Sequence, residues 1–334
     1  MDPVVLYDWA NPQQRLFAKL TKLLRRRSDL DHRFRAYHSR YHMELALQRR
    51  AVKKELDAAL SYGCISPFTF DRWQRTIRWH YSDHPLCTIG SLAAGGRFNV
   101  GRNIDPSVFP PFSAFYAAVD KDTALQEALG QDTFGSGLDA RELALASSHS
   151  IVMFSVKGKL DHVLDLRDPK SIQEFVDVIK GFKLSRGLAR EAARLPVVTP
   201  SVVKTVKQLL GSLLNPNWRH VPTLCEIPAN SQIFGQIVAQ AKIEGILYPS
   251  KLTERDCLAI FPCNFVGGSS FIELDDPAPM TLVGPKRIDA TNWEACERSA
   301  ADVEHSPLRR SAISSPAQTQ LTTVAGSSPA GRPK

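Results

Sequence analysis

Four segments of the chain carry side chains whose types suit chemistry on a phosphorylated sugar. Arg97 follows two glycines, and Tyr116 lies in a short aromatic and apolar run. Glu127 stands inside an apolar helical run, and Ser250 follows an apolar run that begins at Gly245. A guanidinium can hold a phosphate through forked, charge-assisted hydrogen bonds, and a carboxylate stabilises a cation that develops on a sugar ring. The ordered set therefore indicates a site for a phosphorylated sugar.

The turn around Arg97 is rich in glycine. Gly95 and Gly96 precede the arginine, and Asn99 and Gly101 follow it. Without a Cβ atom the backbone can turn tightly and approach a ligand closely. We expect Asn99 to stabilise the turn through its side chain and Gly101 to adopt a positive φ. By residue type alone, Arg97 could equally tie the turn to a backbone carbonyl.

Glu127 is a charged residue among Ala124, Leu125, Ala128 and Leu129 in a helix predicted over residues 122–129. A carboxylate in such a place is costly unless it is paired or lies at a cleft. Asp122 or Thr123 can cap this helix by accepting hydrogen bonds from its first free N–H groups. The residues alone leave open that Glu127 belongs to the solvated face of the helix.

Tyr116 and Ser250 each have a structural and a functional interpretation. The tyrosine can stack on a ligand ring while its hydroxyl binds a ribose or phosphate, or it can be an ordinary half-buried strand residue. Ser250 follows Pro249, and no Gly-x-Ser-x-Gly elbow surrounds it. A hydrolase nucleophile is therefore not expected there, and the bland interpretation is a turn serine.

The order and local sequence of these segments resemble the RES domain, a family named for its Arg, Glu and Ser. The segments are Gly-Gly-Arg-Phe-Asn-Val-Gly at 95–101, Phe-Tyr-Ala at 115–117, Thr-Ala-Leu-Gln-Glu-Ala-Leu at 123–129 and Gly-Ile-Leu-Tyr-Pro-Ser at 245–250. The family occurs in NAD-degrading toxins of bacterial toxin–antitoxin pairs. The resemblance covers roughly residues 85–265.

The resemblance implies an α+β fold, an ADP-ribosyltransferase-like RES core with a mixed sheet. It implies that Glu127, Arg97 and Ser250 are catalytic and that Arg97, Tyr116 and Ser250 bind NAD. The glutamate would stabilise the oxocarbenium-like ribose left when nicotinamide departs, and the serine would hydrogen-bond the glutamate or a ribose hydroxyl. We expect these side chains to converge on one pocket sized for a dinucleotide.

The function implied by the resemblance is that of a NAD glycohydrolase or phosphorylase in the bacterial cytoplasm. The resemblance implies NAD as substrate, and the absence of a Rossmann-type glycine loop argues against NAD as a hydride carrier. Neither a cofactor nor a metal is expected. The partners implied are NAD and a cognate antitoxin with a helix-turn-helix. The acceptor of ADP-ribose, whether water, phosphate or a protein, stays open.

Two alternatives accompany this interpretation. The first is a protein ADP-ribosyltransferase on the same fold. The second, from another class, is a non-catalytic nucleic-acid-binding module that uses basic helices near the amino terminus. Residues 1–80 contain 16 Lys and Arg against 8 Asp and Glu, and the net charge of the whole chain is +8. Since no helix-turn-helix or zinc-finger spacing accompanies this charge, we favour a solvated helical face over a nucleic-acid surface.

The composition, 43% hydrophobic and 23% charged, is typical of a soluble globular protein. No run of about 18 apolar residues predicts a membrane span, and the amino terminus does not resemble a secretory signal. The six cysteines are scattered without Cys-x-x-Cys spacing, which indicates buried thiols in a reducing cytoplasm. The oligomeric state is open.

The organisation predicted from the sequence has three parts. Residues 1–84 form a basic helical region that ends in a connection over 61–84. Residues 85–285 form the RES domain with a helical insertion at about 179–216, and residues 286–334 form a largely disordered tail. Periodicity predicts strands at 113–119, 150–156, 163–166, 246–248 and 257–261. It predicts helices at 12–60, 122–129, 171–183, 201–214 and 232–242.

Overall fold

One sheet of nine strands organises the computed structural model, which describes residues 28–129, 151–195, 202–219, 222, 226–278 and 281–305. The strand order is β1-β5-β6-β7-β3-β2-β4-β8-β9. The strands are β1 (Cys64–Ile65), β2 (Phe68–Arg78), β3 (Phe115–Ala118), β4 (Ile151–Leu160), β5 (Val163–Asp165), β6 (Gly245–Pro249), β7 (Asp256–Ile260), β8 (Phe271–Leu274) and β9 (Arg287–Asp289). The pair β5·β6 is parallel and the other pairs are antiparallel, so the sheet is mixed as predicted.

Helices precede the sheet, follow it and connect its strands. They are α1 (Ser28–Ala51), α2 (Lys53–Tyr62), α3 (Ile89–Ala94), α4 (Lys121–Leu129), α5 (Gln173–Ile179), α6 (Arg186–Ala192), α7 (Val206–Leu213), α8 (Asn230–Gln240) and α9 (Trp293–His305). The connection from β5 to the parallel strand β6 contains α5 to α8, because parallel neighbours need a long crossover. The α+β class is confirmed.

Both faces of the sheet are covered by apolar side chains. Alternate residues of β6 and β7 point to opposite faces, as the period of a strand requires. Ile246 and Ala259 belong to the core under helices α2, α5, α7 and α8. Leu247 and Leu258 belong to a second core that contains Phe115. The residues around β6 and β7 thus lie between two packed layers.

The predicted connection over residues 61–84 is wrong in its central part. Strand β2 occupies the middle of the sheet and pairs with both β3 and β4. The sheet therefore begins before the predicted boundary at residue 85. The strand was not predicted because its inward face carries a cation. Trp73, Arg75 and Ile77 stand at every second position and therefore share that face.

The prediction for residues 286–334 needs a second correction. Strand β9 pairs with β8, and helix α9 packs on the segment before α3 through hydrogen bonds from Thr88 to Glu297 and between His84 and Ser299. The remainder of the predicted tail, residues 306–334, lies outside the described residues, and so do residues 1–27. Within the described residues, no helix is long and apolar enough to cross a membrane.

One face of the basic amino-terminal helix is buried. Phe34 and Tyr37 on α1 are fully buried, and Tyr37 packs with Leu188 of α6. Arg35 pairs with Glu226. The helix is therefore part of the folded unit and contacts the predicted insertion, whose described portion is helical.

Candidate active site

The glycine-rich turn is held by its own asparagine. Asn99 is fully buried, and its Nδ2 donates to the carbonyls of Ser91 (2.9 Å) and Phe112 (2.8 Å). This confirms the predicted structural role of Asn99. The positive φ lies at Gly95 (69°) and not at Gly101, so that part of the prediction is wrong. The tight turn begins before the arginine and not after it.

Helix α8 supports the same turn from the other side. Gln232 Nε2 donates to the carbonyls of Gly96 (3.1 Å) and Asn99 (2.9 Å). One turn later, Gly235 packs so closely on Phe98 that an added Cβ atom would lie 1.9 Å from the Phe98 carbonyl oxygen. The position of Arg97 is therefore fixed by a helix that follows it by more than 130 residues.

Tyr116 on β3 holds this turn with its hydroxyl. The hydroxyl donates to Asn99 Oδ1 (2.9 Å) and accepts from the backbone N–H of Phe98 (2.9 Å). Burial raises the pKa of Tyr116 well above its usual value, so the phenol is neutral. In this structure the one proton of the hydroxyl goes to Asn99, so the hydroxyl holds the turn. Its ring lines the pocket described below.

Replacing Tyr116 with phenylalanine is expected to lower the free energy of unfolding by about 1–2 kcal/mol. The change leaves the backbone N–H of Phe98 and the side-chain oxygen Oδ1 of Asn99 without their shared partner. Urea unfolding measures the difference, and Tyr62→Phe, at a residue 75% exposed, is the control. Equal midpoints for both variants would show that the hydroxyl bonds contribute nothing.

Arg97 is buried (4% exposed) and faces Glu127. Its Nη2 lies 3.5 Å from Glu127 Oε2, and its Nη1 donates to the carbonyls of Asn215 (2.9 Å) and Leu213 (3.4 Å). Its Nε is buried without a hydrogen-bond partner. Most of its donors thus bind protein oxygens, so in this structure the guanidinium orients Glu127 and ties it to the end of α7.

Glu127 and Ser250 are joined directly. The Ser250 hydroxyl donates to Glu127 Oε1 at 2.6 Å and accepts from the N–H groups of Leu252 (3.1 Å) and Thr253 (3.3 Å). Since the two backbone donors occupy the serine oxygen, its proton is directed to the carboxylate. One carboxylate oxygen of Glu127 therefore accepts a hydrogen bond from Ser250, and the other faces Arg97. The three side chains are therefore in contact, as predicted, but Ser250 does not line the pocket on which they were expected to converge.

Helix α4, which carries Glu127, is capped by a different residue from those predicted. Asp120 Oδ1 accepts from the Thr123 N–H at 2.8 Å, and the Asp120 carbonyl accepts from the Ala124 N–H. The expected caps, Asp122 and Thr123, lie inside the helix. The hydroxyl groups of Thr123 and Thr253 are hydrogen-bonded, with 2.9 Å between their oxygens. This bond connects the helix to the turn after Ser250.

A pocket of about 390 Å³ opens beside Glu127. Its volume falls in the range of about 300–1,000 Å³ that is usual for small-molecule sites. Strands β2 and β3, helices α3 and α4 and residues 95–97 and 218–219 form its walls. Arg97, Tyr116 and Glu127 all line it, while Ser250 lies behind the glutamate and is buried.

Three cationic side chains in this pocket were not predicted. Arg75 and Arg78 come from β2, and Arg219 follows the predicted insertion. Together with Arg97 they give the lining four arginines, whereas Glu127 is the one carboxylate among the lining residues that the structure describes. The excess of positive charge favours an anionic ligand.

Arg75 is the most buried of the three (6% exposed). Its Nη2 donates to the Cys87 carbonyl at 2.5 Å, its guanidinium lies 3.9 Å from the Phe115 ring centre, and its Nε has no hydrogen-bond partner. Burial lowers its pKa to about 10, so it stays cationic at neutral pH. The alternation of β2 could have revealed it, since an arginine between inward-facing Trp73 and Ile77 must itself face inward.

Trp218 and Arg219 close the pocket over Glu127. Arg219 stacks on Trp218 with 4.7 Å between guanidinium and ring, and its Nη2 donates to the Glu127 carbonyl at 2.8 Å. The Trp218 side chain is buried, and its Nε1 has no hydrogen-bond partner. No local pattern marks this pair, because it reaches the site only through the path of the chain after α7.

The chain was compared with protein families and with curated proteins. The family model of the RES domain matches residues 69–281, which is more than half of the chain. The match begins within β2, earlier than the range of 85–265 suggested by the sequence motifs. A search among curated proteins gave no match.

Among solved structures, the MbcT-MbcA toxin-antitoxin complex of M. tuberculosis is similar to this chain, with a TM-score of 0.40. The sequence identity is 13%, and the alignment covers 73% of this chain and 97% of that chain. The range that matches the family model includes the glycine-rich turn, the helix of Glu127 and Ser250 after β6. The chain belongs to the RES domain family.

Proposed function

We propose that this protein cleaves the bond between nicotinamide and ribose in NAD. The observation that carries the proposal is the Glu127 carboxylate, held by Arg97 and Ser250 at the edge of a pocket rich in arginine. Departure of nicotinamide leaves an oxocarbenium-like ribose. A fixed carboxylate stabilises that charge without having to reorient during the reaction.

The charges of the pocket fit a dinucleotide. A diphosphate carries two negative charges, and Arg75, Arg78 and Arg219 are cations at the wall beside Glu127. Guanidinium groups bind phosphate oxygens through forked hydrogen bonds. Arg97, the arginine of the family name, is more buried, and we assign it the task of orienting the glutamate. Tyr116 and Trp218 offer aromatic surface to a nucleotide ring.

The full-length protein is expected to release nicotinamide from NAD at a rate proportional to its concentration. Free nicotinamide is measured by chromatography, with the heat-denatured protein as the control. Mass spectrometry of the second product identifies the acceptor: ADP-ribose for water, its 1-phosphate for phosphate, or a mass increase on a protein. Absence of nicotinamide in buffer alone, with added phosphate and with added protein acceptor would eliminate NAD cleavage.

We further propose that the protein acts as the toxin of a toxin–antitoxin pair, as the family resemblance implies. NAD depletion stops growth, so a bacterial host needs a partner that blocks the pocket. The partner proposed is an antitoxin with a helix-turn-helix. Expression of the chain alone should lower cellular NAD before growth stops, and the reverse order would argue against toxicity by this chemistry.

A further inference from the structure

A second cavity, of about 90 Å³, lies between helices α1, α5, α7 and α8, away from the pocket beside Glu127. We call it the four-helix cavity. Most of its lining is apolar and includes Phe175, Leu209, Leu213 and Ile233. It is smaller than the cavity of about 150 Å³ that accommodates benzene, so it suits a short chain of carbon atoms better than a ring.

Polar side chains interrupt the apolar lining: Tyr41, His42 and Arg49 of α1, Ser212 of α7 and Asn230 of α8. His42 is 4% exposed, and its Nε2 has no hydrogen-bond partner. Burial, followed by the charge of Arg49, lowers the pKa of His42 to about 3, so the imidazole is neutral at physiological pH. A neutral ring with an unpartnered nitrogen can donate one hydrogen bond to a ligand.

Arg49 supplies the charge of the cavity. It is half-buried, and burial lowers its pKa to about 10, which leaves the guanidinium cationic at neutral pH. Among the described residues, no carboxylate pairs with it. A partly desolvated cation without a carboxylate partner is costly, and an anion placed beside it would offset that cost.

We propose that the four-helix cavity binds a short-chain carboxylate of about four carbon atoms. The carboxylate would accept forked hydrogen bonds from Arg49 and a third from His42 Nε2, and the alkyl chain would pack on Leu209 and Ile233. The single cation matches the single charge of such an acid, and the apolar lining disfavours inorganic phosphate. The site is separate from the one assigned to NAD.

The cavity is joined to the proposed active site through α7. Leu213 lines the cavity with its side chain, and its carbonyl accepts from Arg97 Nη1 at 3.4 Å. Helix α8 borders the cavity with Ile233, and the preceding residue, Gln232, holds the glycine-rich turn. A ligand between these helices therefore contacts the elements that position Arg97.

Calorimetric titration and thermal unfolding of the full-length protein test the proposal without NAD, so the outcome does not depend on the proposed activity. Butanoate should bind and raise the unfolding temperature, because a ligand that binds the folded state stabilises it. Butylammonium and butan-1-ol, of similar length but without negative charge, should do neither. Octanoate should bind more weakly than butanoate, because its chain exceeds the cavity.

Variants locate the binding. Arg49→Met should weaken butanoate binding at least tenfold, whereas Arg50→Met, at the exposed neighbour on α1, should leave it unchanged. Val203→Phe fills the cavity and keeps the cation, and it should abolish butanoate binding. This second variant tests the proposal even if Arg49→Met does not fold. The proposal is overturned if butanoate and butylammonium bind alike, or if butanoate at millimolar concentration does not bind. Equal affinity in wild type and a folded Val203→Phe would overturn it too.

Discussion

Replacing Glu127 with glutamine is expected to slow nicotinamide release from NAD by about 100- to 1,000-fold. The amide keeps the size of the side chain and can still accept the Ser250 hydrogen bond, but it removes the negative charge that faces the developing ribose cation. The turnover number should fall while KM changes little, since the arginines of the pocket bind the ground state. Initial rates measured over a range of NAD concentrations separate the two constants.

Glu174→Gln is the matched control for this variant. Glu174 lies exposed in the first turn of α5 and does not line the pocket. Its rate should equal that of the wild type. If Glu127→Gln retained half of the wild-type rate, the carboxylate would have no part in the chemistry, and the assignment of this pocket as the active site would fail.

Replacing Gly235 with alanine is expected to destabilise the protein by about 3 kcal/mol. The new Cβ atom would lie 1.9 Å from the carbonyl oxygen of Phe98 and 2.6 Å from its carbonyl carbon, so α8 or the glycine-rich turn must move. The alanine gains about 1 kcal/mol in helix propensity, which offsets part of the clash. Because Phe98 follows Arg97, we expect nicotinamide release to fall as well. Urea unfolding followed by circular dichroism measures the loss.

Gly211→Ala, also in a helix, is expected to stabilise the protein, in contrast to Gly235→Ala. Gly211 lies in α7, and nothing is within 4 Å of a Cβ atom added there. This alanine should raise the free energy of unfolding by about 0.5–1 kcal/mol through the lower entropy of the unfolded chain. If both alanines stabilised the protein alike, the close contact between α8 and the turn would be absent in solution.

The elements nearest the motifs could be predicted because their signals are local. Strand β3, helix α4 and strands β6 and β7 lie where alternation and apolar periodicity placed them. The error in the cap of α4 is small and has a local cause: Asp120, Asp122 and Thr123 are all competent caps, and the helix begins one residue earlier than predicted.

Strand β2 and helix α9 were not predicted, because their polar residues indicated exposed segments although both elements contribute to the core. Strand β2 contains Arg75, whose charge made the segment resemble a connection, although the side chain is buried against Phe115. Helix α9 has mostly polar residues, and Cys296 is its buried contact with the core. Burial of such residues depends on partners that the local pattern does not contain.

By itself the sequence determined the local chemistry of the site: an arginine on a glycine turn, a glutamate in an apolar helical run and a serine after a strand. The tertiary structure alone decided which oxygens those groups bind. The carbonyl that anchors Arg97 comes from Asn215, and the hydroxyl that grips Glu127 comes from Ser250, each more than 100 residues away. Contacts at that separation depend on how the crossover between β5 and β6 packs, because burial of its apolar faces, and not any local pattern, brings α7 and its carbonyls to the arginine.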